Sequence, residues 1–189
     1  NQALTLVDVS GTIYVAAGTY AEDVVLDSDV NLLGAQNGVD ARDREATAPT
    51  GESVINGTVR LNTGGSVVDG FQVDPECLGF HTYHGGQILN NIIESANSGM
   101  FLHSEGETPT LIQYNLFRNI VAVGGCGGCA GDAIWANGSK INLTIRDNKF
   151  TDIGYSAAIF AGNGPNQNIL FHNNSIYRTQ SQAINIYLY

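Results

Sequence analysis

Three stretches of the chain read as copies of one phrase. They are Thr110-Leu111-Ile112-Gln113-Tyr114-Asn115-Leu116-Phe117-Arg118-Asn119, Leu143-Thr144-Ile145-Arg146-Asp147-Asn148-Lys149-Phe150-Thr151-Asp152 and Ile169-Leu170-Phe171-His172-Asn173-Asn174-Ser175-Ile176-Tyr177-Arg178. Two weaker copies precede them, Val67 to Val73 and Gln87 to Glu94. Aligned, the five copies give two apolar columns: Val68, Ile88, Ile112, Ile145, Phe171 and Val73, Ile93, Phe117, Phe150, Ile176. Between them runs a third column of Phe71, Asn91, Asn115, Asn148 and Asn174. The alternation of apolar and polar residues around these positions is strand periodicity. Copies that recur at this spacing bury their apolar faces against one another. The Asn column is expected at a turn, because Asn tolerates left-handed backbone and can bond to the next Asn in a stack.

Composition agrees with a turn-dense β protein. Charged residues are 14%, too few for a disordered chain, and 43% apolar residues in periodic order can form a core. Gly, Asn and β-branched residues interrupt every window of helical length. Eight basic residues face 18 acidic ones, a net charge of −10, so the basic stripe that nucleic acid requires is missing. No apolar run is long enough to span a membrane.

A second apolar word separates the copies. It reads Met100-Phe101-Leu102-His103, Ala133-Ile134-Trp135-Ala136, Ala158-Ile159-Phe160-Ala161 and Ile184-Asn185-Ile186-Tyr187. Each repeat therefore carries about three short strands stacked in parallel. Asn1 to about Ser10 reads as the end of an amphipathic capping helix, with Ala3, Leu4, Leu6 and Val7 apolar. Residues 35–52, 74–86 and 121–131 read as loop excursions from a single domain over 1–189.

Gly11-Thr12-Ile13-Tyr14-Val15-Ala16-Ala17-Gly18-Thr19-Tyr20-Ala21-Glu22, Val30-Asn31-Leu32-Leu33-Gly34-Ala35, Ser53-Val54-Ile55-Asn56-Gly57 and Val68-Asp69-Gly70-Phe71 resemble the opening of pectate-lyase-type right-handed parallel β-helix proteins, in particular the repeat domains of secreted or surface proteins. The resemblance implies an all-β right-handed parallel β-helix solenoid of about six to seven coils. It covers nearly the whole chain, but this fold hosts lyases, hydrolases, esterases and non-catalytic surface proteins, so activity has to be read from a site.

The equipment of the enzymes is sparse. Arg146 and Lys149 lie in one copy and Arg118 and Arg178 at another register, without a column of Asp beside them. No Asp pair of the kind a glycoside hydrolase needs stands in the repeats. His81, His84 and Glu76 could meet around a metal, though decoration of a loop is the simpler reading; His103 is expected to face inward. No cofactor is expected, Ca²⁺ being the one ion left open.

The stronger hint is a candidate sugar-stacking face, in which Leu102, Trp135, Phe160 and Asn185 share one outward column at about 4.8 Å per row, with Asn137 and Asn163 at its edge. Cys126 and Cys129 read as a small disulfide closing a Gly-rich loop, with a redox pair or half a zinc site as alternatives and Cys77 left over. Asn56, Asn137, Asn142 and Asn173 head glycosylation sequons. Together these features predict an extracellular or cell-surface, non-catalytic structural or adhesive module that binds polysaccharide or stacks end to end with further copies of itself. A polysaccharide lyase or glycoside hydrolase acting on acidic polysaccharide is the alternative. The apolar final strand is expected to continue into a longer chain or to be covered by another copy.

Overall fold

The computed structural model describes residues 4, 6–44, 51–104, 108–126, 131–162 and 164–187. Numbered in chain order, twenty strands fall into two sheets in which every pairing between strands is parallel among the described residues. One limb of the larger sheet orders β1 (Thr12–Tyr14), β4 (Asn31–Leu33), β7 (Val67–Asp69), β10 (Gly86–Leu89) and β13 (Thr110–Gln113). The other limb orders β3 (Val24–Leu26), β6 (Val59–Leu61), β9 (Leu78–Thr82) and β12 (Ser98–Ser104). The thirteen-residue β15 (Ile134–Arg146) joins them, pairing β12 through Ile134–Ala136 and β13 through Leu143–Arg146. Three later strands, β17 (Ala158–Phe160), β18 (Asn166–His172) and β20 (Ile184–Ile186), complete this thirteen-stranded sheet. The second sheet orders β2 (Gly18–Tyr20), β5 (Ser53–Ile55), β8 (Phe71–Val73), β11 (Ile92–Glu94), β14 (Leu116–Ile120), β16 (Lys149–Ile153) and β19 (Ser175–Thr179).

This topology corrects the expected solenoid. The chain is all-β, but its strands form one large sheet that curls round through β15 into a half-barrel, and a separate seven-stranded sheet, rather than the coils of a right-handed parallel β-helix. The physical reason lies in β15. Gly138 between the Trp135 word and the Leu143 copy is left-handed (φ 67°), yet the strand runs on through it to Arg146 and joins the two limbs. The bend is held by Lys140, which is fully buried and donates from Nζ to the carbonyls of Gly138 (2.5 Å) and Ala161 (2.6 Å).

The capping helix is also corrected. The described residues hold no α-helix; they hold a 3-10 turn at Ala41–Asp43, and Leu4 is also in 3-10 conformation. Ala3 lies outside the described residues; Leu6 and Val9 are exposed, and Leu4 alone packs against the core. Nor is 74–86 simply an excursion, since it contains β9, an inner strand of the large sheet.

The stacked columns are present. Val68, Ile88, Ile112, Ile145 and Phe171 are register partners in successive strands. So are Val73, Ile93, Phe117, Phe150 and Ile176. Phe117 and Phe150 are fully buried, their rings stacked at 4.8 Å and 9°. Phe171 meets Phe150 from the other sheet at 6.3 Å, so both sheets share one core.

The Asn column forms a bonded ladder. Nδ2 of Asn91 donates to Oδ1 of Asn115 (3.3 Å), Asn115 to Asn148 (3.0 Å) and Asn148 to Asn174 (3.0 Å). Each Oδ1 also accepts the backbone N–H of the preceding member, beginning with Phe71 on Asn91. The left-handed residue is one position earlier than expected: Gly70, Asn90, Tyr114, Asp147 and Asn173 have φ between 52° and 80°. The ladder bonds, rather than the residue type at the bend, fix that geometry. At Gly70 a Cβ would run into the backbone of Asn37, so this first bend also needs glycine for space.

Candidate functional site

Side chains alternate between core and exterior along each strand, so a shift of one residue exchanges the faces. The candidate stacking face divides on this rule. Leu102 pairs with Ala136 and Ala136 with Phe160, and both Leu102 and Phe160 point into the core, 0% and 5% exposed. Trp135 pairs instead with Phe101 and Ile159. Asn185 is buried in that outer column and donates to Ser156 Oγ at 3.3 Å. Asn163 lies outside the described residues. Trp135 and Asn137 therefore remain on the half-exposed face, and Leu102, Phe160 and Asn185 leave the set.

A different group of side chains takes their place. The outer column on this limb reads Val25, Arg60, His81, Phe101, Trp135, Ile159 and Asn185. Two residues further along, Tyr83 and His103 add a second outward position. His103 thus faces out, not in, and its ring stacks on Tyr83 at 5.9 Å and 8°. His81 lies 4.2 Å from Tyr83 and 5.2 Å edge-on to Phe101; Phe101 lies 5.0 Å from His103. Four rings are thus in continuous contact across two adjacent strands, with Trp135 next in register. Tyr83 is 37% exposed and the other rings are half-buried. Nε2 of His81 and Nε1 of Trp135 are buried without a hydrogen-bond partner. Burial first, then His103 and Arg60, push the His81 imidazole below its ordinary value of 6.5.

The sequence signal for this register was the small-residue column, not the large one. Gly79, Gly99 and Ala133 precede the core positions Phe80, Met100 and Ile134. A Cβ at Gly79 would meet the Gly99 carbonyl at 2.5 Å, and one at Gly99 the Ala133 carbonyl at 2.5 Å. Aligning on these tight positions places Phe101, rather than Leu102, beside Trp135.

A second polar cluster lies on the outer face of the seven-stranded sheet. Glu94 accepts from Arg118 Nε (2.5 Å) and Gln72 Nε2 (2.7 Å). Burial, then the Glu94 charge, raises the Asp74 carboxyl. Burial also raises Glu52, with Arg44 opposing it. Arg44 bonds the carbonyls of Gln36, Phe71 and Asn90, and its Nε stands 3.5 Å from Glu52. These contacts tie the segment around 35–44 across the bends of the ladder, which Ala41 covers by packing on Ile92 and Leu116. The cluster is a fastening of ion pairs and backbone bonds, in which Arg44 Nε and Glu52 Oε2 are buried without a hydrogen bond. Arg178 pairs with Asp152, Arg146 bonds Gln113, and Lys149 donates to the Arg42 carbonyl, so the basic residues considered for lyase chemistry are likewise engaged.

Asp132 is the exception among the carboxylates. It is 2% exposed and accepts the Ser156 N–H at 3.1 Å. Burial pushes its carboxyl up to about 6, against that hydrogen bond.

The disulfide expectation is corrected. Cys126 is bonded to Cys77, with Cα atoms 5.5 Å apart, so it is not the partner of Cys129, which lies outside the described residues. The stacking of rows brings two loops together that are 49 residues apart in sequence. Glu76 is exposed at the start of β9, away from the ring row that holds His81, and His84 is exposed beyond its end. Among the described residues, no group of three or more His, Cys, Asp or Glu could hold a metal ion. Of the sequon residues, Asn56 and Asn173 are exposed; Asn137 and Asn142 are half-buried, and Asn142 accepts the Asn168 amide at 2.8 Å. Among the described residues no helix is long and apolar enough to cross a membrane.

No protein-family model, curated protein or solved structure matches the chain.

Proposed function

We propose that the chain is an extracellular, non-catalytic module that binds polysaccharide through the ring row of His81, Tyr83, Phe101, His103 and Trp135. The observation that carries this reading is the continuous contact of four half-exposed rings across neighbouring strands. Rings with one polar edge and one apolar face suit a sugar, which is itself apolar on its ring faces and polar at its rim. A contiguous, partly exposed patch of this kind supports a binding surface. The Cys77–Cys126 disulfide supports an oxidising, extracellular setting.

The test is gel retardation of the intact, oxidised protein by a panel of soluble polysaccharides, with Phe101→Ala and Tyr83→Ala run beside it. Retardation by at least one polymer is expected, weakened about tenfold by either variant, on the order of 1.4 kcal/mol per ring. Mobility unchanged by every polymer overturns the reading.

A further inference from the structure

Two imidazoles stand side by side in the ring row. The His81 and His103 rings are 6.2 Å apart, and Tyr83 and Phe101 crowd His81 at 4.2 Å and 5.2 Å. The groups facing His81 can be taken strand by strand. From β6 comes Arg60, its register partner. Its own strand leads on to Tyr83 and then His84. From β12 come Phe101 and His103, with Trp135 behind them. The carboxylates on this side, Asp23 and Asp27, stand at the two ends of β3, beyond Arg60; Asp23 accepts the Thr58 N–H and Asp27 the Asn62 amide. Every described group that faces His81 is therefore neutral or positive.

A neutral imidazole fits this surrounding and a charged one does not. Protonated, His81 would have Arg60 on one side and a titratable ring on the other, with aromatic carbon against its face and one nitrogen sealed from water. An unpaired charge in such a place is driven back to solvent.

We propose that His81, with His103 beside it, makes the ring row a pH-operated clamp: the row is packed and competent for saccharide at neutral pH, and protonation expels the His81 ring, breaks the row and releases the sugar in acid. The proposal rests on the saccharide reading of this face. Burial, His103 and Arg60 hold the His81 imidazole below 6.5, so the folded state favours its neutral form. Packing of the row is then fully present above the ordinary imidazole value and is lost as pH falls through the lowered one.

Trp135 is the only tryptophan and sits next to Phe101, so its fluorescence reports on the row. The intact protein is titrated from about pH 8 to about pH 4.5, beside His81→Phe, with the imidazole resonances followed by NMR in the unmodified protein. Expected are a reversible change in Trp135 emission with a midpoint below 6.5, its absence in His81→Phe, and loss of gel retardation over the same range. A flat emission, a His81 resonance titrating at or above 6.5, or retardation that persists in acid overturns the clamp, and persistent retardation leaves the saccharide reading standing. No retardation at any pH overturns the saccharide reading, and the clamp with it. The NMR titration does not depend on any variant folding.

Discussion

The Asn ladder and the ring row are columns built by the same stacking, and they have opposite properties. In the ladder one residue type repeats, the side chains of Asn91, Asn115 and Asn148 are buried, and each amide bonds the row above, the row below and a strand carbonyl. In the ring row the type changes at each strand, the side chains are half-exposed, and two ring nitrogens have no partner. A column that satisfies its own polar groups can be sunk into the core at little cost. One that cannot do so stays at the surface, where its unspent contacts are open to another molecule.

The contrast extends to what holds each side in place. The ladder side is fastened by its own hydrogen bonds; the limb carrying the rings is clasped covalently just before β9. Replacing Cys77 and Cys126 together by Ser has the largest expected effect. Release of a closure spanning 49 residues costs about 4 kcal/mol in the chain-entropy account. Hydrogen exchange should then rise in β9 and β12 before β14 and β16. Uniform loosening of both sheets would break the comparison.

Asn115→Ala attacks the other column. It strands the Asn91 N–H and the Ile88 carbonyl in the core, at about 1–3 kcal/mol for each buried group left unmade, so a loss of about 3 kcal/mol is expected in urea denaturation. A loss below about 1 kcal/mol would show the ladder to be a consequence of the fold rather than a cause of it.

Asp132→Asn sharpens the picture in the opposite direction. The folded state raises this carboxyl from 3.8 to about 6, so it favours the protonated form. That contribution is complete below the unfolded value and disappears as pH rises through about 6. The variant should be more stable than the parent at pH 7 by about 2–3 kcal/mol, with little difference near pH 4, read by thermal melts across that range. An equal shift at both pH values would contradict the assignment.

Phe101→Ala has the smallest expected effect on folding, about 1 kcal/mol, because its ring is half-exposed. The same change should nevertheless abolish most of the polysaccharide retardation. A large loss of stability with no change in retardation would make the ring row a piece of core, and the comparison would fail.

The ladder and the two apolar columns were legible in the sequence because each repeats nearly the same residue in the same frame, and alternation does the rest. The sheet arrangement was not, because Gly138 reads as a turn residue and its backbone is left-handed, yet the strand continues through it to join both limbs, with Lys140 bonding two carbonyls at that bend. The ring face was half legible. Trp135 and Asn137 keep the outer face, but matching Leu102 and Phe160 to Trp135 sets the Met100 and Ala158 words one residue out of frame, which turns Leu102 and Phe160 outward and hides Phe101. The disulfide was missed because sequence proximity favoured Cys129, whereas the row containing Ser98, which bonds the Cys77 carbonyl, brings 77 and 126 together.

Lys140 has a practical consequence. The chain has two lysines, and this one is sealed inside the bend of the strand both limbs share, while Lys149 is only half-buried. An acylating reagent can reach Lys140 only after that strand has come apart. Mass spectrometry of its labelling over time would therefore clock the opening of the molecule at the seam between its two limbs.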